Sequence, residues 1–283
     1  MTAGLMGPSR RDVRGAPAAP FGLRDKRAMS PGTRRAIAYL GRIALPVLVL
    51  GLWQWAVDRE WLNVFFVSRP SDIFEFLRKA VQTGTTWSNL WVTIQETLIG
   101  FGLATVLGIG AGLLFTRVPL LHDMVRPYLT AVNSLPRVAL APIFVLWFGL
   151  GQVSKVALVV SLCFFIVLSA TMGAIGNVDP DLTRLSRVLG FSQAEIFRKV
   201  MLPWAIPGIF AGLELALVYA FVGAVAGEMI AATAGIGQQI QFYTQNFNTA
   251  AVLGTLAILA IVTTVIAGFM NILRRYLLRY QRQ

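Results

Sequence analysis

The chain has 283 residues, of which 56% are hydrophobic and only 13% charged, with a mean hydropathy of +0.66. Soluble domains carry about 25% charged residues, so the composition excludes a soluble globular protein and indicates a chain that crosses a membrane several times. The net charge of +12 does not mark a nucleic-acid binder: nine of the 25 basic residues precede Ile43 and the rest gather at the ends of apolar runs, the pattern of a topology signal. One cysteine, Cys163, cannot form an intrachain disulfide and reads as a small core residue, and one histidine, His122, leaves no cluster for a metal.

Residues 1–35 are rich in Arg, Pro, Gly and Ala and lack the hydrophobic core of a cleavable signal peptide. They are expected to form a disordered basic cytoplasmic tail, either resting on anionic membrane lipid or simply solvated. The membrane part is expected over 36–283. Its first apolar run covers 36–57, with Arg42 near the start able to snorkel and Trp53, Trp55 and Trp61 forming an aromatic belt at the far side. Residues 58–91 are polar and carry four basic and four acidic groups. Within them Arg69-Pro70-Ser71-Asp72 reads as a turn, and Ile73, Phe74, Phe76, Leu77, Ala80 and Val81 suggest an amphipathic helix on the outer surface.

The second run covers 92–115. Gly100, Ala104, Gly108 and Gly112 recur every four residues there, a stripe that lets a neighbouring helix approach closely. A short basic turn is expected over Arg117–Arg126. The third run, 127–150, is interrupted by Asn133-Ser134-Leu135-Pro136-Arg137 and then by Pro142. Asn133, Ser134 and Arg137 would be costly facing lipid. They are candidates for lining a translocation path, the alternative being a kink satisfied within the bundle. A tight turn at Gly149-Leu150-Gly151-Gln152 leads to an uncharged fourth run, 156–176.

The fifth run, 205–232, holds Glu214 and Glu228, separated by about 21 Å along a helix and within about 40° of one face. Either they bond neighbouring helices, as partners in a hydrogen bond or ion pair, or they serve substrate or gating. For Glu214 the expectation is pairing, with Arg137 as the suggested partner, or protonation. Residues 233–249 carry no charge, and the sixth run, 250–273, is followed by Arg274, Arg275, Arg279 and Arg282.

Between runs four and five, residues 177–204 form an island of charge with Asp179, Asp181, Arg184, Arg187, Glu195, Arg198 and Lys199. Two short surface helices are expected. Asp179-Pro180-Asp181 opens the first, Gly190 ends it, and Ser192 caps the second. Leu182, Leu185 and Leu189 give an apolar face, and Pro203 and Pro207 close the unit. Such patterning points to a docking element for a soluble partner. The basic segments place both termini and this island in the cytoplasm with six spans; the other three connections are neutral or nearly so, with Lys155 the one basic residue beside them.

No phosphate-binding loop, nucleophile elbow, zinc spacing or catalytic carboxylate pair occurs, so no catalytic residue is assigned. Energy for uphill transport would come from a partner ATPase or from an ion gradient coupled through intramembrane groups.

The motif Asp179-Pro180-Asp181-Leu182, then Gly190, then Ile196-Phe197-Arg198-Lys199-Val200-Met201-Leu202-Pro203 resembles the cytoplasmic signature of binding-protein-dependent ABC importer permeases. Gly190 and Leu202-Pro203 match it, whereas the family's Glu-Ala-Ala positions read Arg184-Leu185-Ser186. Leu135 to Pro142, Leu146 to Gly151, Gly227-Glu228 and Gly235-Ile236-Gly237 resemble the nitrate/sulfonate/taurine subgroup, and the resemblance runs from about Arg69 to the C-terminus. Glu214 stands where relatives commonly carry a basic residue.

The resemblance implies an all-α membrane protein, six transmembrane helices of the type I ABC importer permease fold with cytoplasmic coupling helices. It implies one copy of a homodimeric pore for a small anionic solute such as a sulfonate, taurine or nitrate. The partners would be an ATP-binding subunit dimer, which holds the ATP and Mg, and a periplasmic solute-binding protein; no cofactor is expected on this chain. Coupling to the ATPase would fall on Asp179, Leu182, Arg184, Leu185, Ser186, Leu189, Gly190, Phe197, Leu202 and Pro203. The competing readings are an ion-coupled secondary transporter using Glu214 and Glu228, and a non-transporting scaffold.

Overall fold

A computed structural model describes residues 31–277. The chain divides into two compact units, Met1–Leu50 and Gly51–Gln283. The described part of the first unit is the start of helix α1 (Pro31–Asp58). Proline at the first helical position is favourable because its missing N–H has no partner to lose there. The helix thus begins inside the expected tail, whose residues 1–30 lie outside the described part. The first expected span falls within α1.

The second unit continues through α2 (Val64–Val67), α3 (Pro70–Gln82), α4 (Gly84–Arg117), α5 (Pro119–Asn133), α6 (Ala141–Phe148) and α7 (Gln152–Gly176). Then follow α8 (Pro180–Val188), α9 (Gln193–Ile196), α10 (Leu202–Ile230), α11 (Ile236–Gln245) and α12 (Thr249–Leu277). No strand occurs among the described residues. Helices α4, α7, α12 and the stretch Gln193–Ile230 are each long and apolar enough to cross a bilayer. Helix α5 and the segment Arg137–Phe148 form a further apolar pair bent by 82°, with the geometry of a broken span or a re-entrant loop, at the Asn133–Arg137 interruption that the sequence shows. The turn expected over Arg117–Arg126 is instead helical apart from Val118, because Pro119 starts α5 at once.

At the centre α7 is packed between α4 and α10. Leu158, Leu162, Cys163, Ile209, Ala216 and Ala220 are among the buried residues of this core. The Cys163 thiol donates to the Ala216 carbonyl at 3.1 Å, the behaviour of a core residue. The glycine stripe of α4 faces α7. A Cβ at Gly100 would lie 2.5 Å from Val159 Cγ1, one at Gly108 2.8 Å from Val167 Cβ, and one at Gly112 2.7 Å from Thr171 Cβ. The close neighbour expected for this stripe is therefore a helix of the same chain, and the stripe lends no support to pairing of two copies.

The charged island is joined to the bundle more firmly than two surface helices would be. Helix α9, a wide π-type turn at Phe197–Met201 and α10 run on as one helical stretch, Gln193–Ile230. Pro203 and Pro207 lack the N–H groups that would reach back four residues, and a proline ring crowds the carbonyl four before it. The wide turn covers the carbonyl four before Pro203, which stands at the start of α10, and Pro207 sits inside α10, which runs on past it, so the prolines do not close the unit as expected. The uncharged 233–249 connection also holds a helix, α11, and α3 packs on α12, where Gly254 leaves room for the Phe76 ring.

Gly108→Val is expected to destabilise the bundle by about 1–3 kcal/mol, the usual cost of overpacking. Gly102→Val, where nothing lies within 4 Å of the added Cβ, should change little. Thermal unfolding of the two variants in detergent, followed by size-exclusion chromatography, checks this.

Candidate functional site

The 177–204 segment folds as its local chemistry dictates. Asp179 caps α8, its Oδ1 accepting from the Asp181 N–H at 2.8 Å. Gly190 has φ of +85°, a left-handed conformation that suits glycine. Ser192 and Glu195 form a reciprocal capping box on α9, and Lys199 pairs with Glu195 at 2.9 Å. Helix α8 rests on its Leu182–Thr183–Ser186 side. Ser186 is buried with its hydroxyl bonded to Leu182 O, so it is turned away from the exposed face, and Leu182 is half-buried. What the segment shows outward is Leu185, 56% exposed, Val188, 85%, and Leu189, 66%, with Arg184 exposed beside Asp181. Val188 was not among the expected docking residues; its spacing of three from Leu185 was the available signal. Phe197 points inward under the Arg117 guanidinium, 4.2 Å from its ring centre. Leu202 and Pro203 are half-buried in the helix that leads into the span.

The broken span brings Asn133, Ser134 and Arg137 together. Arg137 Nη1 donates to the Leu162 carbonyl of α7 at 3.1 Å, and Nη2 bonds the Asn133 side chain. The guanidinium stacks 4.4 Å over the Phe165 ring centre. Its Nε is buried without a hydrogen-bond partner among the described residues. Two cavities adjoin here. One, of about 310 Å³, is lined by Asn133, Arg137 and Leu162 among others. The second, of about 300 Å³, is lined by His122, Arg126, Thr130, Asn133, Ser134 and Ser169 among others. Asn133 lines both, and neither is lined by a carboxylate.

Glu214 and Glu228 lie elsewhere and apart from each other in environment. Glu214 pairs with Arg274 of α12 at 3.1 Å, not with Arg137: the guanidinium of Arg137 is already taken up by Asn133, Leu162 and Phe165. Glu228 is buried, accepting from the Thr93 hydroxyl at 2.7 Å and from the Gly237 N–H at 2.6 Å. Both carboxylates are thus held by fixed partners, which is the helix-bonding alternative for them. Sequence reading passed over Glu96 and treated Lys155 as an outer basic residue. Both are buried beside Glu228. An acidic residue five positions into an apolar run was the signal that could have found Glu96; nothing in the sequence distinguishes a buried Lys155 from an interfacial one.

Residues 104–283 match the family described as binding-protein-dependent transport system inner membrane component. Permease protein SsuC of Bacillus subtilis (strain 168), named for aliphatic sulfonates transport, is 30% identical over 89% of this chain and 91% of its own length. The riboflavin transport system permease protein RibX of Chloroflexus aurantiacus is 30% identical over 84% of this chain and 90% of its own. The taurine transport system permease protein TauC of Escherichia coli (strain K12) is 26% identical over 87% and 90%. Among solved structures, a chain of the MetNI methionine ABC transporter in an inward facing conformation superposes with a TM-score of 0.61 at 21% identity, over 69% of this chain and 96% of that one. The fold is the type I ABC importer permease fold, and ATP hydrolysis belongs to a separate ATPase subunit. Family model, relatives and fold agree: the chain belongs to the binding-protein-dependent transport system inner membrane components, as the integral inner-membrane permease subunit of an ABC importer.

Proposed function

We propose that this permease conducts a small anionic solute, that residues 177–204 couple it to its ATPase, and that two copies of the chain enclose the path. The observation that carries the solute class is the broken span: Arg137, Arg126 and His122 face two adjoining cavities that no carboxylate lines. The two arginines make that wall cationic, and a cationic wall in a low-dielectric medium favours anions and repels cations. Relatives named for aliphatic sulfonates and for taurine transport support this reading, and sulfonates, taurine and nitrate are the classes to test. Asn133 and Ser134 supply neutral hydrogen bonds beside the charge. Glu214 and Glu228, tied to other groups, stand outside the path.

The coupling role rests on Leu185, Val188 and Leu189, large apolar side chains held out to solvent on a short capped helix. A face of this kind needs a partner to cover it. The ATPase dimer, carrying ATP and Mg, is the partner we assign. Movement of that face would reach the membrane through α9, which follows α8 across the Gly190 turn and is one helical stretch with α10. A periplasmic binding protein would deliver the solute at the opposite end. We assign both termini and the coupling segment to the cytoplasm, with α1 as a sixth span; the basic residues at the helix ends support this reading. Lys155 no longer counts against that assignment, since it is buried within the bundle.

Two outcomes follow. Val188→Glu, or Gly190→Val with its unfavourable positive φ, should cut ATPase co-purified with the tagged permease more than tenfold, while Arg184→Gln should be mild; quantitative pull-down from native membranes measures this. Arg137→Gln should lower uptake of a sulfonate probe such as taurine at least tenfold, about the factor that 1.4 kcal/mol represents, with the pull-down unchanged. Equal uptake by Arg137→Gln and wild type would remove the anion assignment.

A further inference from the structure

At the end of the bundle away from residues 177–204, three ionisable side chains are buried together: Glu96 of α4, Lys155 in the first turn of α7 and Glu228 in the last turn of α10. Helix α11, which covers them, brings no charged residue. Lys155 Nζ donates to the Leu150 and Gly151 carbonyls at 2.5 and 3.2 Å and faces both carboxyl groups. The carboxyl of Glu96 meets that of Glu228 in hydrogen-bond contact, and Glu96 Oε2 is buried without a partner among the described residues.

The same cluster holds a turn. Three successive amides at the start of α11 donate into it: Gly235 N–H to Asn89 Oδ1 at 2.7 Å, Ile236 N–H to Thr93 Oγ1 at 2.9 Å, and Gly237 N–H to Glu228 Oε2 at 2.6 Å. Gly235 has φ of +113°, and an added Cβ at either glycine would run into the Glu228 side chain. Glu228 is therefore the post on which the turn between α10 and α11 is hung.

Two carboxyl groups in hydrogen-bond contact need a proton between them, and a buried site cannot hold two carboxylates against one ammonium. Each Glu228 oxygen already accepts from a fixed donor, Thr93 on one side and Gly237 on the other, so the proton belongs to Glu96. We propose that Glu96 is a neutral acid donating to Glu228, and that Glu96, Glu228 and Lys155 form a charge-balanced latch that fixes the Gly235–Gly237 turn across α4, α7, α10 and α11. The three are positioning residues: they touch no solute cavity, and they anchor the end of α10 opposite to the one that leads to the coupling segment. The assignment does not depend on which solute is carried.

The donor count makes the latch asymmetric. Glu96→Gln keeps a neutral donor of the same shape. Glu228→Gln turns an N–H group toward Thr93 or Gly237 and removes the negative charge that faces the buried Lys155 ammonium, whose hydrogen bonds go to the Leu150 and Gly151 carbonyls. The experiment uses the permease complex purified from native membranes. We expect thermal unfolding of Glu96→Gln to match wild type, and Glu228→Gln to unfold at lower temperature with a yield at least tenfold lower. Glu96→Ala should also be destabilised and the glutamine variant should rescue it. We also expect a wild-type-minus-Glu96→Gln infrared difference spectrum to contain the carbonyl band of a protonated carboxyl group. If Glu96→Gln is as damaged as Glu228→Gln, or if the difference spectrum holds only carboxylate bands, the latch as described is wrong.

Discussion

The structure depends on how closely α4 and α10 approach α7. Lipid chains are as apolar as leucine, so burying apolar area drives no association between helices inside a bilayer; close packing and hydrogen bonding must do it. Here glycines of α4 receive β-branched residues of α7, with Gly100 against Val159, Gly108 against Val167 and Gly112 against Thr171. On the other side Gly208 and Gly223 of α10 receive Ala174 and Leu162. Seated this closely, the helices bring Glu96, Lys155 and Glu228 within reach of one another. The same packing sets the Leu162 carbonyl of α7 where Arg137 can bond it.

Around this rigid core the working parts are irregular backbone. The broken span between Asn133 and Arg137 exposes polar groups at membrane depth, tolerated only where they line a cavity or meet other protein groups. The π-type turn at Phe197–Met201 is a second irregularity. It lies just before Pro203, and α9 and the core of α10 run on through it as one helix.

Much of this was legible from residue order alone. Apolar runs located the spans, Asp179, Gly190 and Ser192 located the caps, and the Asn133–Arg137 interruption located the break, because each depends on residues close in the chain. What escaped depends on residues far apart. Thr93 and Glu228 are 135 positions apart and Glu214 and Arg274 are 60, and no periodicity inside one run says which helix lies beside it. The glycine stripe shows the same limit: its spacing announces a close neighbour without naming α7. Reading Pro203 and Pro207 as terminators failed because the helix runs through both, with a π-type turn just before Pro203 and α10 continuing past Pro207.

Lys155 has a consequence for how the chain is made. Its helix is synthesised well before Glu228 exists, so during insertion the ammonium group has only Glu96, on an earlier span, to offset its charge. Until α10 is seated beside α7, the Lys155 ammonium also lacks the Glu228 carboxylate, whose two oxygens are held by Thr93 and the Gly237 amide. Completing the helix core and completing this buried cluster are therefore one event.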